Sequence, residues 1–168
     1  MFATIQRILV PTDFSEPAHE AQKYAMAFAE KFGAELHLLH IVAPLPLPST
    51  YAGQVSYLPD VDMACLLESG KAQLAKEVDH DWFRNHPTVQ AVELGFAADE
   101  IVRYAKHHKI DLIVMGTHGR TGLSHLILGS VAEKIVRVSE CPVLTVHPGT
   151  SQTVHEESES TESRVESV

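Results

Sequence analysis

The chain has 168 residues, 45% hydrophobic and 21% charged, with 13 Lys plus Arg against 22 Asp plus Glu for a formal net charge of -9. This is the composition of one globular domain, and an acidic balance excludes a general binder of nucleic acid or of anionic membrane surfaces, both of which need a basic footprint. No apolar run approaches the roughly 20 residues of a membrane span, the start lacks a signal-peptide pattern, and two cysteines, Cys65 and Cys141, do not make a disulfide framework, so a cytoplasmic protein is expected.

Arg7–Pro11 carries a short run of branched apolar residues ended by Pro11, which suits a strand buried on both faces. Ala18, Ala21, Ala25, Phe28, Ala29 and Phe32 then follow helical spacing, with Ser15 as N-cap, Pro17 in the first turn and Gly33 as the stop. Ala34–Val42 reads as a second strand. Ala43–Asp60, held extended by Pro44, Pro46 and Pro48, is too long for an ordinary connection; it suits a lid or partner surface and a plain insertion equally. Met63–Asn85 reads as one helix with Leu66, Leu67, Leu74 and Val78 on its inner stripe. A third strand, Val89–Leu94, precedes a helix over Ala97–His108 with Ile101, Val102 and Ala105 inward. Asp111–Gly116 is a fourth strand, Ser130–Val138 a fourth helix and Pro142–Val146 a fifth strand.

Five strands alternating with four helices imply an α/β fold: one open parallel sheet with helices on both faces. The domain covers residues 1–149. Residues 150–168 hold five Glu, five Ser and one Arg, a net charge of -4, and read as a flexible acidic tail that cannot bury enough apolar surface to order itself.

In such a sheet, ligands bind beyond the carboxyl ends of the strands, where the strand order reverses. Unusual residues gather after two strands: Pro11-Thr12-Asp13 after the first, and Gly116-Thr117-His118-Gly119-Arg120-Thr121-Gly122 after the fourth, with Gly129-Ser130-Val131 opening the next helix. Four of the nine glycines lie between 116 and 129, and glycine admits positive φ and close backbone approach to anionic oxygens. A helix start at Gly129-Ser130 offers unpaired N–H groups to phosphate, Ser130 offers a hydroxyl, and Arg120 a planar cationic fork. Asp13 is suited to a sugar hydroxyl or a base. Taken alone, the glycines at 116 and 119 fit a tight strand–helix turn better than a ligand site.

The spacing Gly116-x2-Gly119-x9-Gly129-Ser130, set between a hydrophobic strand and a helix leading to Val143–Val146, resembles the ATP-binding branch of the universal stress protein family. The resemblance spans residues 4–147 and includes Ile8–Asp13, Gly95–Ile101 and Asp111–Gly116. It implies a doubly wound, Rossmann-like sheet in strand order 3-2-1-4-5, with the reversal between strands one and four. It further implies that Asp13, beside Pro11 and Thr12, contacts ribose or adenine, and that Ile41 and Met115 line the adenine pocket. Gly116, His118, Gly119, Arg120, Gly129, Ser130 and Val131 then hold phosphates and ribose. The cofactor implied is ATP, with Mg²⁺ as its usual companion, and the partner is a second copy of the chain across the last strand, Val143–Val146.

No G-x4-G-K-[ST] is present, which removes a P-loop NTPase, and no G-x-G-x-x-G follows strand one. Among eleven histidines, His37 and His40 lie three apart on a strand and face opposite ways, so they do not pair as metal ligands. No nucleophilic or acid–base set stands out; His118 and His125 read better as surface loop residues than as groups that orient water. The expectation is therefore a nucleotide-dependent regulatory protein, with slow ATP hydrolysis or phosphotransfer, or a nucleotide-independent scaffold, as the alternatives.

Overall fold

The computed structural model describes residues 4–43, 63–78, 81–117 and 128–147. The five strands are β1 (Arg7–Thr12), β2 (Glu35–Val42), β3 (Thr88–Leu94), β4 (Leu112–Gly116) and β5 (Val143–Val146). They form one parallel sheet ordered β3-β2-β1-β4-β5, as expected. The central strands are apolar on both faces because both are covered: Ile8, Leu9, Val10, Ile113 and Val114 have no solvent exposure.

The pleat sends alternate residues to two separate cores. Ile8, Val10, Leu36 and Leu38 pack against α1 (Glu16–Phe32), α2 (Met63–Glu77) and α3 (Asp81–Asn85), which contribute Ala21, Ala25, Leu74 and Phe83. Leu9, Leu39, Ile113 and Met115 pack against α4 (Ala97–His107) and α5 (Ser130–Val138), through Ile101, Tyr104 and Ile135. Since β1 pairs with β2 on one side and β4 on the other, the chain winds away from β1 in both directions. A cleft therefore opens beyond the carboxyl ends of β1 and β4.

Several expectations need correction. Strand β1 runs through Pro11 to Thr12, and its paired register with β4 covers Ile8 and Leu9, so the missing Pro11 N–H removes nothing there. The single helix expected over 63–85 is two, α2 and α3: Val78 already lies outside α2, and Asp81 opens α3, where an acidic residue suits the positive end of a helix. Phe32 is 47% exposed and stacks on Phe28 instead of entering the core. Ser15 holds the N-cap position of α1 with no side-chain cap bond; its hydroxyl turns back and donates to Asp13 Oδ1 at 2.5 Å. Asp111 lies just outside β4: its Oδ2 accepts the backbone N–H groups of Gln6 and Arg7, each at 2.9 Å, and so ties the entry of β1 to that of β4. Gly33 ends α1 as expected, at φ 65°, where a side chain would be strained. The proline-rich segment 44–62 and the tail lie outside the described residues.

Candidate functional site: the cleft between β1 and β4

A cavity of about 300 Å³ occupies the sheet reversal, at the small end of the roughly 300–1,000 Å³ usual for small-molecule sites. Each wall follows from local sequence. Leu39 and Ile41, two apart on β2, face the same way, toward the α4–α5 layer. Met115 near the end of β4, with Ala97 and Ile101 one turn apart on α4, completes an apolar wall.

The opposite wall is polar. Pro11, Thr12 and Asp13 reach it from the end of β1, and Gly116, Gly129, Ser130 and Val131 reach it from β4 and the start of α5. The β1–α1 turn is locally self-bonded: Phe14 N–H donates to Thr12 Oγ1 at 3.1 Å, and Ser15 N–H donates to Asp13 Oδ1 at 3.1 Å. On the other side, Gly129 N–H donates to the Thr117 carbonyl at 2.8 Å, and Thr117 N–H to the Val146 carbonyl at 2.9 Å. These two bonds fix where α5 begins relative to β4 and β5. The N-cap of α5 is Gly129, which has no side chain, and no side-chain cap bond is made there among the described residues, so the first-turn amides and the positive end of the dipole open on the cleft beside the exposed Ser130.

Of the residues singled out by sequence, Pro11, Thr12, Asp13, Ile41, Met115, Gly116, Gly129, Ser130 and Val131 line this one cavity. His118, Gly119, Arg120 and His125 lie outside the described residues. The reason given for two glycines changes. Gly129 has φ −58°, open to any residue, and Gly116 has no positive φ either. A Cβ on Gly116 would stand 2.9 Å from the backbone and Cβ of Pro17, so glycine is required there by the close seating of α1. Leu39, Ala97, Ile101, Thr117 and Ala132 also line the cavity. Leu39 was recoverable from its i, i+2 relation to Ile41; the two alanines carried no signal beyond helical spacing. His37 and His40 face opposite layers as expected, and the described residues contain no group of three His, Cys, Asp or Glu able to hold a metal ion. None of the described helices is long and apolar enough to cross a membrane.

Residues 4–147 match the universal stress protein family. Universal stress protein MJ0531 of Methanocaldococcus jannaschii is 38% identical over 144 residues, covering 84% of this chain and 81% of that protein. Among solved structures, the universal stress protein UspA from Lactobacillus plantarum superposes with a TM-score of 0.68 at 27% identity, covering 86% of this chain and 99% of its own. A universal stress protein from Archaeoglobus fulgidus, solved in complex with dAMP, shares the fold at a TM-score of 0.56 and 20% identity, covering 86% of this chain and 98% of its own.

Proposed function

The chain belongs to the universal stress protein family, and on that footing we propose that it binds ATP or a related adenine nucleotide in the cleft between β1 and β4, as a nucleotide-dependent regulatory protein of a stress response. The observation that carries the reading is the union, in one cavity, of an apolar wall with a polar wall that ends in a helix N-terminus whose cap residue is a glycine. A purine fits between Ile41 and Met115, where flat apolar surface leaves water. Asp13 accepts hydrogen bonds from ribose hydroxyls or the base, beside Pro11 and Thr12. The amides and hydroxyl at Gly129, Ser130 and Val131 meet phosphate oxygens, with Gly116 at the floor. His118, Gly119 and Arg120 join them from the following loop, and Arg120 balances phosphate charge. Mg²⁺ accompanies the phosphates and keeps mainly phosphate and water ligands. The dAMP complex of the Archaeoglobus relative supports an adenine nucleotide as a ligand that this fold accommodates. In the same reading the protein is cytoplasmic and pairs as a homodimer through the edge of β5, Val143–Val146, since an unpaired apolar edge favours a second copy.

Thermal unfolding with ATP, AMP and GTP tests the nucleotide. Saturation at 100 times Kd adds about 2.7 kcal/mol of stability, a shift of several degrees. Ala97→Phe, which fills the apolar wall, and Gly119→Val, which blocks backbone approach, are expected to remove the shift. No shift of the parent chain at millimolar ATP would overturn the reading.

A further inference from the structure

We propose that His40 is a positioning residue for the cleft: from the opposite face of the sheet it fixes the β1–α1 turn that carries Thr12 and Asp13, and thereby sets the affinity of the site. The consequence for affinity rests on the nucleotide reading above; the consequence for the turn does not. His40 sits beside Thr12 in the β1–β2 register, between Leu39 and Ile41. Those two neighbours face the cleft, so the pleat turns His40 to the α1–α2 layer. There its Nδ1 lies 2.9 Å from the Thr12 carbonyl oxygen. A carbonyl only accepts, so Nδ1 carries the proton and donates.

The turn needs this support. Phe14 adopts φ 64°, a conformation that residues with a side chain rarely hold unless their surroundings over-determine it. Two of the restraining bonds arise inside the turn, from Phe14 N–H to Thr12 Oγ1 and from Ser15 N–H to Asp13 Oδ1. The His40 bond ties the turn to the sheet from outside. The Phe14 ring packs on the imidazole with centroids 4.4 Å apart. Behind the imidazole lies α2: a Cβ on Gly70 would come within 3.2 Å of His40 Cδ2. One ring is thus held between the turn and the α2 backbone, which links the seating of α2 to the placement of Asp13. Thr12 is 5% exposed, so water does not readily replace a lost donor.

The test uses the full chain with three substitutions. In His40→Asn the amide nitrogen takes the place of Nδ1 and keeps the donor. In His40→Leu the volume is kept and the donor lost. In His40→Gln the amide reaches the Nε2 position instead, which covers the case in which the leucine variant does not fold. Calorimetric titration with ATP and amide hydrogen exchange without nucleotide are the readouts. His40→Leu and His40→Gln are expected to weaken ATP binding about tenfold, the equivalent of one lost hydrogen bond, and to speed exchange at Phe14 and Ser15. His40→Asn is expected to restore both. A merely structural role lowers the melting temperature of the variants and leaves affinity and local exchange unmoved; that result overturns the proposal. If the parent chain binds no nucleotide, the function proposed above fails, and exchange at Phe14 and Ser15 alone decides the role of His40, unchanged protection overturning it.

Discussion

Pro17 stands over the end of β4 so closely that a methyl group on Gly116 would meet it at 2.9 Å, mostly against backbone that cannot swing aside. Gly116→Ala is therefore expected to destabilise the chain by about 1–3 kcal/mol in denaturant unfolding, through displacement of the first turn of α1. His37 presents a different constraint. It is buried between Tyr104 and Glu35, with Nδ1 3.0 Å from the Tyr104 hydroxyl and Nε2 3.1 Å from Glu35 Oε2. The carboxylate accepts from Nε2–H, so Nδ1 accepts from the phenol, whose own ionisation burial pushes up to about 12. Burial holds the imidazole below its ordinary 6.5, against the opposing pull of Glu35. In the unfolded chain the ring takes up a proton near 6.5, and in the folded chain only at lower pH. Its contribution to stability is then complete above pH 6.5 and disappears as pH falls through the folded value. Stability measured by denaturant is expected to fall from pH 7 to pH 5, with a shallower slope in His37→Gln; equal slopes would show that other groups carry the fall. Sequence marked both residues, one as a glycine in a loop motif and one as a strand histidine, yet named neither constraint. Each depends on a partner far along the chain, Pro17 for Gly116 and Tyr104 for His37.

The elements were read largely from their own periodicity. β1 and β4 announced themselves as unbroken apolar runs, and α1 as an alanine stripe closed by Gly33. The readings failed where local preference was close to balanced. Phe32 kept the helical period but falls at the last residue of α1, where the layer beneath it has ended. Pro11 acts as a breaker only where the strand on its N–H side needs that donor; that side faces β4, which does not pair there. Helix α5 shows how an element serves the cleft. Ile135 is fully buried in the second core, while Ser130, one and a half turns earlier, is exposed at the cleft. Ile135→Ala is expected to cost about 2–5 kcal/mol of stability, as for other truncations of buried aliphatic side chains. Because the same helix supplies the amides of the polar wall, ATP binding measured well below the melting temperature is also expected to weaken.

At the scale of the molecule, the sheet order β3-β2-β1-β4-β5 decides where a ligand can go, because only between β1 and β4 do the crossovers part. The charge of the whole chain says little about that place: residues 150–168 hold -4 of the -9. A chain ending at residue 149 is expected to keep the melting temperature of the full chain and, on the proposed function, the same ATP-induced shift; a loss of either would assign the acidic segment a part in the fold or the site. Sequence by itself determined the fold class, the five strands and the two segments that meet at the cleft, because hydrophobic period and glycine spacing are local properties of the chain. Only the tertiary structure decided the apolar wall from α4, the seating of Pro17 over Gly116, the burial of His37 and the reach of His40 to the Thr12 carbonyl. Each of these joins residues distant in sequence through a contact of a few ångströms, and no local pattern encodes such a contact until the sheet has brought the two sides together.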